Sequence, residues 1–340
     1  MRTAPIKRRA EQEFSVPLNQ IRLVYAIFDD GIQVWTVQST GVRSNWIKIK
    51  QEDLIREVRE FVEKCAASSS SLEEIQSQGR KLFSVFVQPA ILDIMESQIV
   101  IVEPDRVIGD LPMEALLSSE GWFFGARYSV VYSPGMEMEK HLRMPEAIGR
   151  LEPLLLVDAS RTESRNYLPG EELERATIAQ VFPNSRVMDA EHVSRAQFSG
   201  GLSQSHIFHF IGHARLDGEG TYLVLNKSES LRAKDFPPNL LQDSRLAVLS
   251  ACSTGRSGEN GLLDTDNLVH SFLVGGVPSV IASRWNVDSE NTAKLMSSFY
   301  QHLEKRETVA QSISEARREI LKVQKHPYYW ASFNLSGRAN

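Results

Sequence analysis

His206-Ile207-Phe208-His209-Phe210-Ile211-Gly212-His213-Ala214 decides the fold, together with its counterpart Leu246-Ala247-Val248-Leu249-Ser250-Ala251-Cys252-Ser253-Thr254-Gly255. Each is a run of β-branched, aromatic and aliphatic residues that stops at a chemically capable side chain. Runs of this kind read as strands buried on both faces, which belong to parallel sheets covered by helices. In an open parallel sheet the carboxyl ends of neighbouring strands share one crevice, and ligands bind there. An imidazole and a thiol meeting in that crevice supply a base and a nucleophile, the minimum equipment of a cysteine hydrolase.

Cys252 follows His213 by 39 residues (252 − 213). The interval holds the turn Asp217-Gly218-Glu219-Gly220, an apolar run Tyr222–Leu225 and a loop with Pro237-Pro238. That length suits two adjacent parallel strands joined by a crossover. Each residue also has a plainer reading. A buried cysteine is often a small hydrophobic side chain, and Cys65, inside a helical pattern, is read that way. Cys252 differs in ending its run before Ser253-Thr254-Gly255. Small residues there permit a sharp turn that aims backbone amides at a developing oxyanion. On a helix, His206, His209 and His213 would share a face and suit zinc. The β-branched and aromatic surroundings favour a strand, which keeps His209 and His213 on one face and turns His206 to the other. A three-histidine metal site is therefore disfavoured and no metal is expected. His209 reads as a core histidine, and His213, beyond the strand end after Gly212, as the one that reaches the crevice.

Working outward, the strand Leu154–Val157, a helix over 170–181, the strand Arg186–Met188 and a short helix from Ser194 lead into the His213 strand. After the Cys252 strand come a helix over 265–274, the strand Ser279–Ala282, and terminal helices over 289–304 and 309–323. The last opens with Thr308-Val309-Ala310-Gln311, a capping box. Strands alternating with helices of this length give an α/β fold with a doubly wound, mostly parallel sheet flanked by helices. Towards the N-terminus, Leu23–Phe28 and Ile32–Val37 flank Asp29-Asp30-Gly31 and read as a hairpin. Leu54, Ile55, Val58, Phe61 and Val62 mark a helix over 51–65. A second helix is expected over 72–95, a buried strand at Ile99–Val102, and a short helix over 111–117 opened by Pro112. The expected division is a flexible arm over 1–20, an N-terminal α+β subdomain over 21–150 and a catalytic subdomain over 151–340.

The bulk properties of the 340-residue chain exclude several classes of protein. Its 42% hydrophobic and 24% charged residues are ordinary for a globular protein. A net charge of −5 argues against direct nucleic-acid contact, and Lys7-Arg8-Arg9 reads as a solvated cluster. Two cysteines without CxxC spacing exclude a disulfide scaffold and a cysteine-rich zinc site. No segment reaches the ~18 apolar residues that span a bilayer, and the N-terminus lacks a signal-peptide core. A cytoplasmic location without membrane contact, with Cys252 as a reduced thiol, is the expectation. There is no G-x-S-x-G elbow, P-loop or H-E-x-x-H motif, and no cofactor is implied.

Taken in order along the chain, these residues resemble the CHAT family, caspase-like cysteine peptidases of the clan that also holds caspases, gingipains and separase. The resemblance runs through Glu103-Pro104-Asp105-Arg106, Leu111-Pro112-Met113-Glu114-Ala115-Leu116, Gly212-His213-Ala214 and Leu249-Ser250-Ala251-Cys252-Ser253-Thr254-Gly255. It continues through Phe272–Val280, Ile281-Ala282-Ser283-Arg284-Trp285-Asn286-Val287-Asp288 and His326–Phe333, covering roughly residues 21–338. It implies a caspase-like sheet, His213 as general base, Cys252 as nucleophile, and the backbone amides of Ala214 and Cys252 as oxyanion donors. Many relatives carry glycine where this chain has Ala214, which still offers its amide. The resemblance implies a cysteine endopeptidase cutting specific protein partners. Because relatives are often fused to tetratricopeptide repeats, it also implies activation by a regulatory protein or repeat domain. The alternative is a catalytically silent scaffold with the same fold.

The substrate pocket is less determined. Clan members that prefer a basic P1 residue often place a carboxylate two positions before the cysteine, where this chain has Ser250, or after the tryptophan equivalent to Trp285. Asp288 and Glu290 follow Trp285, but both also suit the first turn of a helix. Trp285 either walls the pocket or fills the core. Asp217, Glu219, Glu259, Asp264 and Asp266 are alternative acids for the rim. An acidic rim points to basic or polar P1 residues rather than acidic ones.

Overall fold

In the computed structural model, residues 16–93, 99–161, 170–189, 193–218, 220–252, 265–286 and 288–339 are described. Thirteen strands among them form one mixed sheet. Its centre is parallel: β6 (Leu154–Asp158) lies between β7 (Ser185–Asp189) and β8 (Ile207–Asp217), and β11 (Leu246–Cys252) lies between β8 and β12 (Ser279–Ser283). Antiparallel β13 (Phe333–Gly337) covers β12 and joins it through β5 (Ser129–Tyr132) and β4 (Ile99–Glu103) to β1 (Gln20–Phe28). There β2 (Gly31–Gln38) and β3 (Gly41–Lys48) close the edge as a meander. Mostly parallel strands flanked by helices are the architecture that the alternating pattern implies.

Alternation along the central strands divides the core. Ile207, Ile211, Leu246 and Val248 enter one apolar cluster, while Phe208, Phe210, Ala247, Leu249 and Ala251 enter the other. Helices α1 (Gln51–Cys65), α2 (Leu72–Phe86), α3 (Glu171–Val181), α6 (Ser289–Glu304) and α7 (Val309–Val323) cover the first face, with α6 packed between α3 and α7. Helices α4 (Arg195–Leu202) and α5 (Thr265–Val274) cover the second. Where caps and periodicity are local, the expected boundaries are matched closely. Thr308 and Gln311 form the capping box of α7, and Ser194 and Gln197 form one at α4.

Three expectations are corrected. The helix expected to run to residue 95 ends at Phe86 and gives way to a 3₁₀ stretch over Gln88–Asp93. Pro89 lacks an amide proton and disfavours the α conformation before it. The segment over 111–117 makes only one 3₁₀ turn, Met113–Ala115, before extending. Burial of Leu111, Met113, Glu114, Leu116 and Leu117 dictates this path, because Glu114 is drawn into the core. Finally, His213 does not lie beyond the strand. β8 continues to Asp217 because it changes partners, leaving β6 after Ile211 and pairing antiparallel with β9 (Gly220–Val224) from Ala214. His213 is therefore the last residue of β8 in the parallel ladder with β11.

Glu114 ties the two halves of the sheet together where β12, β13 and β5 meet. Fully buried, it accepts a hydrogen bond from Tyr132 Oη at 2.7 Å and lies 3.6 Å from Arg284 Nη1 and 3.3 Å from Arg317 Nη2. The Arg284 guanidinium also stacks over the Tyr132 ring at 4.3 Å, and Arg317 donates to the Phe333 carbonyl. Burial opposes the charge of Arg284, but Tyr132, Glu114 and Asp110 outweigh it and hold its pKa above the ordinary value. Buried charges survive only when paired in this way.

Candidate active site

The carboxyl ends of β6, β8, β11 and β12 meet at one edge of the sheet, where the parallel ladder ends. There the register sets Cys252 of β11 directly opposite His213 of β8, as the 39-residue spacing implies. His213 lies on the face of β8 that carries Ile211 and is covered by α3 and α6. His213 is half-buried. Gly212 beside it is forced by crowding, since a Cβ there would stand 2.9 Å from Ala159 Cβ and from the Phe210 ring. The turn Ser253-Thr254-Gly255 lies outside the described residues, as do Glu219, Glu259 and Asp264.

The residues assigned to the pocket are distributed as follows. Ser250 is buried two positions before Cys252, and its hydroxyl has no hydrogen-bond partner among the described residues. Trp285 is buried in the core, its indole N–H donating to the Tyr328 carbonyl at 3.2 Å. Asp288 caps α6, its carboxylate accepting from the Glu290 amide at 3.1 Å, and Glu290 is exposed in the first turn. Asp217 binds Arg232 at the far end of β8, and Asp266 lies in the first turn of α5. Ala214 begins the antiparallel pairing, opposite Leu223.

Two carboxyls absent from the expected set stand closer. Asp158 ends β6 in register with Ile211, on the same face as His213. Strand geometry puts its Cα roughly 8 Å from that of His213. Its Oδ1 accepts from the Ser160 amide at 3.1 Å and the Ser160 hydroxyl at 2.6 Å, while Arg175 lies 3.4 Å from Oδ2. Beside it is Glu171, the first residue of α3 and 1% exposed. Burial pushes the Glu171 carboxyl above its ordinary pKa, and a hydrogen bond with the Asp158 carboxyl adds to this, against the pull of Ser160 and Arg161. The N-terminus of α3 is brought here by Gly170, where a Cβ would stand 2.1 Å from the Ser289 carbonyl oxygen of α6. An aspartate closing an apolar strand was the visible signal. Its pairing with a helix start 13 residues later (171 − 158) was not.

At the opposite flank, the Ser283 hydroxyl of β12 donates to the Ala251 carbonyl at 2.8 Å. Four residues below His213, His209 is sealed in the core between Tyr300 Oη, 2.7 Å from Nδ1, and Glu174 Oε1, 2.9 Å from Nε2. His206, outside β8, pairs with Glu152. Cys65 is buried at the end of α1, and burial raises its thiol pKa far above the ordinary value.

The model of the CHAT domain matches residues 76–338 of this sequence. The chain belongs to the CHAT domain family. A search of curated protein sequences found no match. Among solved structures, this CHAT domain is similar to separase in the Saccharomyces cerevisiae separase–securin complex, with a TM-score of 0.65 at 11% identity. That alignment covers 97% of this chain and 30% of the separase chain, so the CHAT chain spans under a third of that protein. The Arg-specific cysteine proteinase gingipain R (RgpB) aligns over 84% of this chain and 75% of its own at 10% identity, with a TM-score of 0.49. The likeness to separase makes the CHAT fold caspase-like, and the family points to a cysteine peptidase. No helix among the described residues is long and apolar enough to cross a membrane.

Proposed function

We propose that this CHAT domain is a cysteine endopeptidase with His213 as general base and Cys252 as nucleophile. The observation that carries this reading is the register of Cys252 opposite His213 where the parallel ladder ends. In this mechanism His213 takes the thiol proton, and the thiolate sulfur bonds to the scissile carbonyl carbon. The carbonyl oxygen becomes an oxyanion held by the backbone amides of Ala214 and Cys252. The C–N bond then breaks, the amine leaving with the proton from His213, and water hydrolyses the thioester by the same steps. The acidic surroundings of the crevice, Asp158, Glu171 and Asp288, support cleavage after basic or polar residues rather than acidic ones. The yeast separase structure is a complex with securin, which supports the reading that this domain engages a regulatory protein partner. We place its substrates among cytoplasmic proteins.

The test is to incubate the wild type and Cys252→Ala with a cell lysate and to identify new protein termini by mass spectrometry. The expected result is a small set of termini formed only by the wild type. Identical sets would refute a peptidase, and termini following aspartate would refute the P1 assignment.

A further inference from the structure

The parallel ladder between β11 and β12 ends at Leu249 and Ala282, although the strands run on to Cys252 and Ser283. Beyond that point these two strands no longer pair through their main chains, and a side chain bridges them. The Ser283 hydroxyl, buried on β12, donates its only proton to the Ala251 carbonyl, also buried, at 2.8 Å. That carbonyl belongs to the peptide unit whose nitrogen is Cys252. A trans peptide is planar, with its C=O and N–H pointing in opposite directions, and no cis peptide occurs among the described residues. Drawing the carbonyl towards β12 therefore turns the Cys252 N–H towards β8 and His213. A hydrogen bond to the carbonyl oxygen also polarises the amide and strengthens what its N–H donates.

Ser283 is well placed for this role because it cannot drift. It is in register with Phe333 of β13. The next residue, Arg284, donates its amide to the Ser332 carbonyl at 2.6 Å, and its guanidinium is held by Glu114 and Tyr132. Rigid support of this kind is what an oxyanion site needs, since its donors must be fixed before charge develops.

We propose that Ser283 is a positioning residue that aims and polarises the Cys252 amide for oxyanion stabilisation, acting through the Ala251–Cys252 peptide unit. This rests on the peptidase reading above. It separates from general structural support because only reactions that form an oxyanion should feel it.

The test compares the wild type, Ser283→Ala and Ser283→Thr, which keeps the hydroxyl, with three probes. These are a peptide spanning a cleaved site, a peptide aldehyde of the same sequence and iodoacetamide. The aldehyde adds the thiol across its carbonyl and places an oxygen where the oxyanion forms. Iodoacetamide is displaced at a saturated carbon by the thiolate, releases iodide and forms no oxyanion. Ser283→Ala is expected to lower kcat about 10- to 100-fold, short of the 10²–10³ for losing a donor outright, with KM little changed. Aldehyde affinity falls in parallel, the iodoacetamide rate at Cys252 stays that of the wild type, and Ser283→Thr restores both losses. Wild-type kcat and aldehyde affinity in Ser283→Ala would overturn the role of Ser283 alone. So would an equal loss of iodoacetamide reactivity, which would mark general damage to the site. A wild type that alkylates at Cys252 but is inert to peptide and aldehyde would overturn the peptidase reading, and the Ser283 role with it.

Discussion

His209 and His213 sit four residues apart on β8 and share a face of the sheet. His209 is 0% exposed, with Nδ1 hydrogen-bonded to Tyr300 Oη at 2.7 Å and Glu174 Oε1 standing 2.9 Å from Nε2. His213 is half-buried, one step from where the strand leaves β11 for β9. The same side chain is thus offered two environments within one strand, and the length of the parallel ladder decides between them. Inside the ladder, helices cover the imidazole and it must be satisfied by buried groups. At the last rung the helices end, the strand twists away into the β8–β9 hairpin, and the register brings in Cys252. Sequence distance says little here; distance from the sheet edge says nearly everything.

The sharpest way to break this comparison is to remove each histidine in turn. His213→Ala is expected to lower peptide cleavage by at least about a thousandfold, as loss of a base does when it acts as a unit with the nucleophile. Its melting temperature should stay close to that of the wild type. His209→Ala should do the reverse. Buried Glu174 and Tyr300 lose their partner, an unsatisfied buried group costs about 1–3 kcal/mol, and in a chain of this length the melting temperature falls by roughly 3–8 °C. Activity per folded molecule should persist well below that melting point. Turnover and melting curves on the two variants settle the matter: if His209→Ala loses activity while keeping its stability, the division between core and crevice is wrong.

An effect on stability alone is expected at the other sealed polar centre. Glu114→Ala leaves Arg284 and Arg317 buried and facing each other without their shared carboxylate. Removing one partner of a buried ionic group costs about 3–5 kcal/mol. Urea denaturation should show that loss in the midpoint. A loss under about 1 kcal/mol would mean that water reaches the arginines and that the centre is not sealed.

How much of this could be read from the chain follows the same division between local and distant causes. The hairpin around Asp29-Asp30-Gly31, the helices α1, α6 and α7 and the capping box at Thr308 depend on neighbours in sequence, and their limits are recovered closely. The placement of Cys252 beside His213 followed from crossover length. Short strands such as β5 and β13 are not legible in the sequence, because four or five residues gain their identity from the strands they pair with. Nor could local pattern show that β8 exchanges β6 for β9 and so carries His213 inside the strand. The union of Glu114 with Arg284 and Arg317, and of Asp158 with Glu171, is likewise a product of topology. Trp285 and Asp288 fit both readings in sequence; contacts with Tyr328 and the Glu290 amide show what they do in the fold.

Between the sealed histidine and the open one stands the Asp158–Glu171 pair, and its titration gives the smallest and finest test. Burial and the Asp158 carboxyl raise the folded-state pKa of Glu171 above its unfolded value, with Ser160 and Arg161 opposing. Between those two values the unfolded chain binds fewer protons than the folded one, so stability falls as pH rises. The stabilising contribution is fully present below the ordinary glutamate value of about 4.3 and is lost as pH climbs through the raised value. Glu171→Gln removes that titration while keeping a side chain able to donate to Asp158. Its melting temperature, relative to the wild type, should therefore be nearly level at pH 4 and rise towards pH 8. Arg161 and Arg175, both largely exposed, cap the size of the gain by screening the carboxylates. A difference that does not vary with pH would mean Glu171 ionises as freely as an exposed glutamate. The crevice would then be as wet at Glu171 as at Glu290, and its acidic character would belong to solvent rather than to the site.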